Sequence, residues 1–387
     1  MSSKPAVAPK QGCVGSATFD PQERVRDERA REEALAHLQK NELDLAVRTW
    51  FKLPETDKYV YHAITSVQFA QVQDVVRRGG AHGLHDWYRN EAREPLPPPS
   101  QADIEAYINI FLSTTNTAAA LKGFASNAKK GSIRASAAKY LLAKRFLHPD
   151  LATKLSIPKS KKPPANLYFD FWIWSTRNLE WCGPCPESER KMQSHHVLPI
   201  FMHHFGCVVP SYESLEILRL LANGRTVADV GSGNGYWSFM LRQHKVNVVA
   251  VDNAQSEWRV NWISDTVIAD GVKWLARKEN QGGKDMVLLM VYPIVGGGVA
   301  GGVEGGFTRN LLAAYKGDTV AVVGTQNHNG YTGFRGMTMD EYMDKEQKEW
   351  AKVVQITLPS FAGKDEALYI FQRGDKAPKK VEMTVSS

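Results

Sequence analysis

Three glycines spaced two residues apart, Gly231, Gly233 and Gly235, form the stretch best suited to hold a ligand. A glycine backbone can turn sharply and approach a bound molecule because it carries no Cβ. Asp252 follows about 20 residues later, the spacing at which an acidic residue can accept hydrogen bonds from two ribose hydroxyls. The loop and Asp252 therefore predict a site for a nucleotide-like ligand.

A strand, a helix and a second strand must position these residues. Residues 227–230 are apolar apart from Asp229, which is typical of a strand buried on both faces of a parallel sheet. Residues 236–243 predict a helix whose first N–H groups point toward the ligand. Residues 246–251 predict the second strand, which ends at Asp252.

The string Val-Ala-Asp-Val-Gly-Ser-Gly-Asn-Gly, together with Asp252, resembles motif I of the class I S-adenosylmethionine (SAM)-dependent methyltransferases. Dinucleotide-binding folds use G-x-G-x-x-G instead. The resemblance implies SAM as the cofactor and direct methyl transfer to a small molecule, an RNA or a protein. The alternatives are a Rossmann-like unit that holds another ligand, or one that holds none.

The resemblance also implies a set of cofactor-binding residues on the loop and after the first three strands. These are Asp229, Gly231, Ser232, Gly233, Asn234, Gly235, Tyr236, Trp237, Asp252, Asn253, Asp270 and Gly271. In this superfamily a carboxylate placed like Asp270 commonly accepts from the adenine amino group, whereas the alternative is a helix N-cap. Tyr236 and Trp237 either pack beside the cofactor or anchor their helix to the sheet.

Later apolar runs complete the predicted fold. Residues 266–270, 285–292 and 318–324 predict three more parallel strands, and residues 352–359 and 367–372 predict an antiparallel hairpin. The predicted fold class is α/β, with a Rossmann-like, doubly wound, mostly parallel sheet and a C-terminal antiparallel hairpin. An all-helical N-terminal region is expected before it.

The end of the fourth strand is where many superfamily members place reacting residues, so Tyr292 and Pro293 are the catalytic candidates. The resemblance is incomplete here, because amino-methylating members often carry Asp or Asn, two prolines and an aromatic residue. Seven glycines follow within residues 296–306. They predict either a substrate lid at the carboxyl edge of the sheet or an idle insertion.

Cysteines and histidines between the two halves have metal-ligand chemistry. Cys182 and Cys185 form a C-x2-C pair, with His195 and Cys207 downstream, and such residues can hold zinc. The downstream spacing is irregular, so no metal is favoured. A thioredoxin-like redox role is rejected because the residues after Cys185 leave no room for the required sheet.

The predicted domains are a disordered tail (1–19), a helical N-terminal domain (20–153), a Pro/Lys linker (154–166) and a SAM-binding domain (167–387). Within the helical domain, residues 20–39 predict one exposed helix and residues 58–78 predict another helix. No stretch is long and apolar enough to span a membrane. We expect a cytoplasmic protein, with a nuclear location as the alternative.

The net charge of +7 lies entirely in residues 1–205, since residues 206–387 contain 20 basic and 20 acidic residues. Residues 122–162 contain eleven basic residues and one acidic residue, Asp150. This stretch predicts contact with a nucleic acid or an acidic partner, although a solvated face is the alternative. A second functional hypothesis is therefore a non-catalytic Rossmann-like protein that recruits RNA or an acidic partner.

Overall fold

The computed structural model describes residues 14–16, 18–62, 66–78, 92, 94, 98–179, 181, 183–184, 197–293, 303–328, 333–334 and 336–378. Ten strands lie within these residues. They are β1 (Tyr61–His62), β2 (Ser66–Val67), β3 (Phe146–Leu147), β4 (Val227–Val230), β5 (Val248–Asp252), β6 (Val267–Ile268), β7 (Val287–Val291), β8 (Thr319–Thr325), β9 (Ala351–Thr357) and β10 (Glu366–Gln372).

Fifteen α-helices lie within the same described residues. The first eight are α1 (Pro21–Arg24), α2 (Glu28–Gln39), α3 (Leu43–Phe51), α4 (Phe69–Arg78), α5 (Gln101–Asn109), α6 (Thr117–Ser126), α7 (Ile133–Lys144) and α8 (Pro149–Ala152). The others are α9 (Leu167–Asn178), α10 (Val197–Phe205), α11 (Tyr212–Ala222), α12 (Tyr236–Gln243), α13 (Gly271–Leu275), α14 (Gly306–Ala314) and α15 (Met339–Glu346).

Eight of these strands form one sheet in the order β3-β9-β10-β8-β7-β4-β5-β6. The five strands from β6 to β8 are parallel, whereas β10 is antiparallel to both β8 and β9. The predicted α/β class, the parallel strands and the C-terminal hairpin are thus confirmed. Strand β10 lies between β8 and β9, so β10 pairs directly with β8 although β9 comes earlier in the chain.

The sheet is buried on both faces, and alternate residues of each strand pack into different cores. In β7, Val287 and Leu289 face the core formed with the N-terminal helices and α9–α12. Leu288 and Met290 face a second core formed with α13–α15. This arrangement explains why the central strands have an almost continuous apolar sequence.

The N-terminal region is mainly helical, but three short strands correct the all-helical prediction. Residues 58–78 do not form one helix, since β1 and β2 pair antiparallel before α4. Phe146 of β3 pairs with Gln355 of β9, so this region also supplies an edge strand to the main sheet. These pairings depend on partners distant in sequence, which local helical patterns do not encode.

The single exposed helix predicted for residues 20–39 is also wrong. The chain breaks between α1 and α2, where the Asp27 carboxylate caps α2 by accepting a hydrogen bond from the Ala30 N–H at 3.0 Å. Ala34 and Leu38 are buried, so α2 packs against the core.

Parts of the predicted tail and linker are packed. Phe19 contacts Phe51 and Trp262, while Leu155 and Ile157 are buried. The apolar core on the α9–α12 side is continuous with residues on both sides of the linker. The division into domains at 1–19, 20–153, 154–166 and 167–387 therefore stays a prediction, with an extensive contact between the two halves.

The aromatic stretch in α9 packs into the core, because Tyr168, Phe171, Trp172 and Trp174 are all buried. In the described part of the chain, no helix is both long and apolar enough to cross a membrane.

Candidate cofactor and acceptor site

A cavity of about 460 Å³ lies at the carboxyl ends of β4, β5 and β7. Ten of the twelve predicted cofactor residues line it, the exceptions being Asp229 and Gly235. In parallel sheets these strand ends meet at one edge, which is where open α/β folds bind ligands. The fold thus brings the loop, Asp252 and Asp270 to one cavity.

The glycine loop approaches its surroundings too closely for larger residues. A Cβ on Gly231 would lie 3.1 Å from the ring of Phe307, and one on Gly233 would lie 3.0 Å from the ring of Trp258. Gly235 has φ +82° and caps α12, and its Cβ would lie 2.4 Å from Ile263 Cγ1. The three glycines are therefore required by backbone conformation and by packing.

Asp252 is held at the cavity by the loop. Its Oδ2 accepts a hydrogen bond from the Gly233 N–H at 2.9 Å, and its Oδ1 accepts one from the Ala254 N–H at 2.7 Å. Each carboxylate oxygen can accept a second hydrogen bond. Asp252 can therefore remain fixed while it accepts hydrogen bonds from two hydroxyls of a ligand.

Asp270 is the N-cap of α13, because its Oδ1 accepts from the Lys273 N–H at 2.9 Å. The side chain is exposed and lines the cavity, so capping and a ligand contact are compatible. Gly271 follows it, and a Cβ there would lie 2.4 Å from Val230 Cγ1. Asn253, next to Asp252, also lines the cavity.

Asn234, Tyr236 and Trp237 line the cavity and also anchor the loop. The Asn234 Nδ2 donates to the His204 carbonyl at 3.0 Å, and the Trp237 Nε1 donates to the Val208 carbonyl at 2.9 Å. The Tyr236 hydroxyl donates to Asn166 Oδ1 at 2.8 Å. Tyr236 and Trp237 therefore line the cavity and also anchor their helix through these polar atoms.

Two buried polar atoms of the cavity wall have no hydrogen-bond partner among the described residues, Ser232 Oγ and Trp258 Nε1. Buried polar groups are normally satisfied. Both atoms can donate a hydrogen bond, and a ligand rich in oxygen and nitrogen acceptors would satisfy them. This pair fits a polar nucleoside ligand such as SAM.

Asp229 lies beneath the cavity and does not line it. Its carboxyl is fully buried, and its Oδ2 accepts from the Ser238 hydroxyl at 2.7 Å. Burial, which is the main cause, and the nearby charge of Asp252 raise the pKa of Asp229 to about 7, despite the lowering effect of the Ser238 hydrogen bond. In this structure Asp229 links β4 to α12.

Tyr292 is the catalytic candidate that lines the cavity, and Pro293 is not part of the lining. Tyr292 has φ +54°, a conformation that is unusual for a tyrosine, while its N–H donates to the Val323 carbonyl at 2.7 Å. Such backbone outliers often occur at functional sites. Residues 294–302, which include most of the glycine-rich stretch, lie outside the described residues, so the substrate-lid hypothesis stays a prediction.

Of the four zinc candidates, Cys182, Cys185 and His195 lie outside the described residues. Cys207 lines the cavity, and burial raises the pKa of its thiol to about 12. Among the described residues, no cluster of three or more His, Cys, Asp or Glu side chains is suited to a metal ion. Zinc binding therefore stays an unfavoured hypothesis.

Sequence reasoning missed the wall formed after β5. Trp258 lines the cavity, and the next side chain, Arg259, is buried. The Arg259 guanidinium donates to Asp57 Oδ2 at 2.7 Å and to the Val14 carbonyl at 2.9 Å, and it stacks over the ring of Tyr59. The N-terminal region thus holds this wall, and the position of Trp258 shortly after Asp252 was the only local signal for it.

The strand order decides which α/β fold this is. A parallel sheet ordered β6-β5-β4-β7-β8 is followed by antiparallel β10, inserted before β9. The chain has the class I methyltransferase fold. In this sheet, β4 is the strand that precedes the glycine loop and β5 is the strand that ends at Asp252.

Solved structures with similarity to this methyltransferase fold include a proposed RNA methyltransferase from Pyrococcus horikoshii (14% identity, 42% of this chain, 81% of that chain, TM-score 0.28). A SAM-dependent methyltransferase from Agrobacterium tumefaciens has 13% identity over 41% of this chain and 60% of that chain, with a TM-score of 0.26. A methyltransferase of calicheamicin biosynthesis, solved with S-adenosylhomocysteine (SAH), has 16% identity over 42% and 56%, with a TM-score of 0.27.

No protein-family model matches the chain, and the search of curated proteins finds no match. This chain spans less than two thirds of the length of the last two structures. Because all three TM-scores are low, the functional proposal depends on the strand order and the cavity.

Proposed function

We propose that this protein is a SAM-dependent methyltransferase. The observation that carries the proposal is the meeting of the glycine loop and Asp252 at one cavity of a class I methyltransferase sheet. Neither feature is specific alone, since dinucleotide enzymes also combine a glycine loop with an acidic residue. Their combination with antiparallel β10 favours SAM.

Each part of the cavity wall has a role in holding the cofactor. Asp252 would accept from the two ribose hydroxyls, and Asp270 would accept from the adenine amino group. The glycine loop lets the backbone approach the cofactor, and Ser232 Oγ and Trp258 Nε1 offer unpaired donors. These assignments use only side chains that line the cavity.

When bound, SAM supplies an electrophilic methyl group that is transferred directly to a lone pair of the acceptor. The contribution of the chain is alignment, since correct orientation of two reactants alone removes several kcal/mol of barrier, about 7 in favourable cases. Tyr292 at the end of β7 is the residue best placed to orient the acceptor. The partly apolar wall, which includes Phe205 and Phe307, would limit access of water.

NAD is disfavoured by the residue after the loop. The dinucleotide pattern requires a third glycine at position 236, where a close approach of helix and strand is needed. Here Tyr236 is buried, with its ring centroid 4.6 Å from that of Trp262. The last glycine of the loop is instead Gly235, with φ +82°, directly before α12.

Calorimetric titration tests the cofactor assignment directly. SAM and SAH should bind the purified protein, and NAD should not. Asp252→Asn should weaken SAH binding roughly thirtyfold, because a lost charge-assisted hydrogen bond costs on the order of 2 kcal/mol. Asp285→Asn is the matched control, since Asp285 is exposed next to β7 at the opposite edge of the sheet.

Two results would contradict the assignment: binding of NAD without SAH, or equal SAH affinity in the Asp252 variant and the control. Transfer of isotopic methyl from SAM to cell extract, separated into RNA, protein and small-molecule fractions, then identifies the acceptor class. SAH binding without any transfer would favour the non-catalytic alternative.

A further inference from the structure

Eight lysines between residues 122 and 162 form an exposed set that we call the lysine surface. Its members are Lys122, Lys129, Lys130, Lys139, Lys154, Lys159, Lys161 and Lys162. Within the described part of the chain, none of their ammonium groups takes part in an ion pair or a hydrogen bond. A solvated face usually carries charges of both signs, whereas residues 122–162 contain a single acidic residue, Asp150.

The arginines of the same stretch behave differently. Arg134 is buried and donates to Asp103 Oδ1 at 3.0 Å and to the Phe124 carbonyl at 2.8 Å. Arg145 pairs with the Glu213 carboxylate inside the structure. These two arginines are thus paired with acids, whereas the eight exposed lysines are not paired with any described residue.

The separate segments of the lysine surface are brought together by the fold. The Ser160 N–H donates to the Ser113 carbonyl at 2.8 Å, and the Ser113 hydroxyl donates to the Ser160 carbonyl at 3.1 Å. These bonds place Lys161 and Lys162 beside the turn that leads into α6, the helix that carries Lys122. Helices α6 and α7 pack together, and α7 carries Lys139.

The same helix α7 reaches the edge of the sheet that contains the cavity. The Tyr140 hydroxyl donates to Asp365 Oδ2 at 2.6 Å, and the Lys144 ammonium lies 3.4 Å from the Gln326 carbonyl, just after β8. The Tyr292 N–H bonds the Val323 carbonyl. Gln326 is three residues further along, or about 10 Å at the rise of a strand.

We propose that the lysine surface binds the phosphate backbone of a nucleic acid. Protein interfaces are depleted in lysine and centred on apolar and aromatic residues, whereas Leu142 is the one large apolar side chain exposed near these lysines in the described residues. Unpaired lysines without an apolar centre suit contacts to phosphates, which position a strand and carry no sequence information. A strand held here would reach the carboxyl edge of the sheet near Tyr292.

The test compares two fourfold charge reversals. The first changes four members of the lysine surface: Lys129→Glu, Lys130→Glu, Lys161→Glu and Lys162→Glu. The matched control changes four exposed lysines of the catalytic half: Lys278→Glu, Lys284→Glu, Lys345→Glu and Lys376→Glu. Both variants have the same net charge, so only the position of the charges differs.

Binding of a fluorescent single-stranded RNA is measured by anisotropy across a salt series, without cofactor. The lysine-surface variant should lose more than about tenfold in affinity, and its slope of log affinity against log salt should fall by about three, because each lost single-strand phosphate contact removes about 0.7. The control variant should bind like the parent protein. SAH titration of both variants verifies folding, and it reports on the cofactor proposal independently of RNA.

Three results would overturn the proposal. One is the absence of RNA and DNA binding by the parent protein at low salt. Another is an equal loss of affinity in both variants. The third is tighter binding, through the same lysines, of polyglutamate or of phosphatidylserine vesicles, which would assign the surface to an acidic protein or to a membrane.

Discussion

Asp229→Asn should make the protein more stable at neutral and alkaline pH, although this residue lies in the glycine-loop motif. The ordinary pKa of an aspartate is 3.8, and burial raises that of Asp229 to about 7. Because one pKa unit corresponds to about 1.4 kcal/mol, ionisation of Asp229 costs the folded state about 4 kcal/mol above pH 7 relative to pH 3. Asparagine has nearly the same shape and can still accept from Ser238.

The sign follows from proton binding. Between pH 4 and pH 7 the folded state keeps the Asp229 proton that the unfolded state releases, so stability from this group is complete below pH 4 and is lost as the pH rises to 7. The Asp229→Asn variant has no carboxyl at this position, so its free energy of unfolding does not decrease in this way. The free energy of unfolding of the variant minus that of the parent should therefore increase by about 2.5 kcal/mol between pH 5 and pH 8.

Urea unfolding at several pH values, followed by tryptophan fluorescence, measures this difference. Asp265→Asn is the control of opposite sign, because the Arg242 guanidinium holds the pKa of exposed Asp265 below its usual range. That pair should stabilise the parent at neutral pH and lose its effect as the pH falls. A difference curve for Asp229→Asn that stays flat from pH 5 to pH 8 would refute the burial argument.

Three further variants test the packing around the site. Gly235→Ala should lower the free energy of unfolding by about 3 kcal/mol, from backbone strain at φ +82° and overlap with Ile263; chemical denaturation measures this, and in an Ile263→Ala background the same change should cost less, because the overlap is removed while the strain remains. Asp57→Asn should cost about 3 kcal/mol, since it leaves the buried Arg259 charge without its carboxylate; an unchanged unfolding midpoint would contradict this. Ser232→Ala should weaken SAH binding about fivefold in calorimetry through loss of one hydrogen bond. The melting temperature measured without ligand should not change.

Local signals in the sequence determined several individual helices and strands. Helix α12 spans the predicted residues because it begins at Gly235, whose positive φ ends the loop. Ser100 and Ser132 are the N-caps of α5 and α7, a position that short polar side chains favour. Continuous apolar runs identified β4 and β7, since strands buried on both faces have no polar alternation.

Tertiary contacts decided the features that local patterns do not contain. Strand β6 is only two residues long, against five predicted, because its pairing with β5 covers just Val267 and Ile268. The pairing of β3 with β9 joins residues about 200 positions apart, and the burial of Arg259 depends on Asp57 and Val14.

The roles of individual residues show the same division between what the sequence indicates and what tertiary structure decides. The sequence predicted Asp252 as a ligand-binding carboxylate, because its place after a strand and a glycine loop is set by spacing. It did not separate Asp252 from Asp229, which has the same side chain but lies beneath the cavity, with a pKa raised to about 7. Sequence spacing fixed which residues reach the carboxyl edge of the sheet, whereas burial and long-range partners, which only the folded chain supplies, decided which of them can meet a ligand.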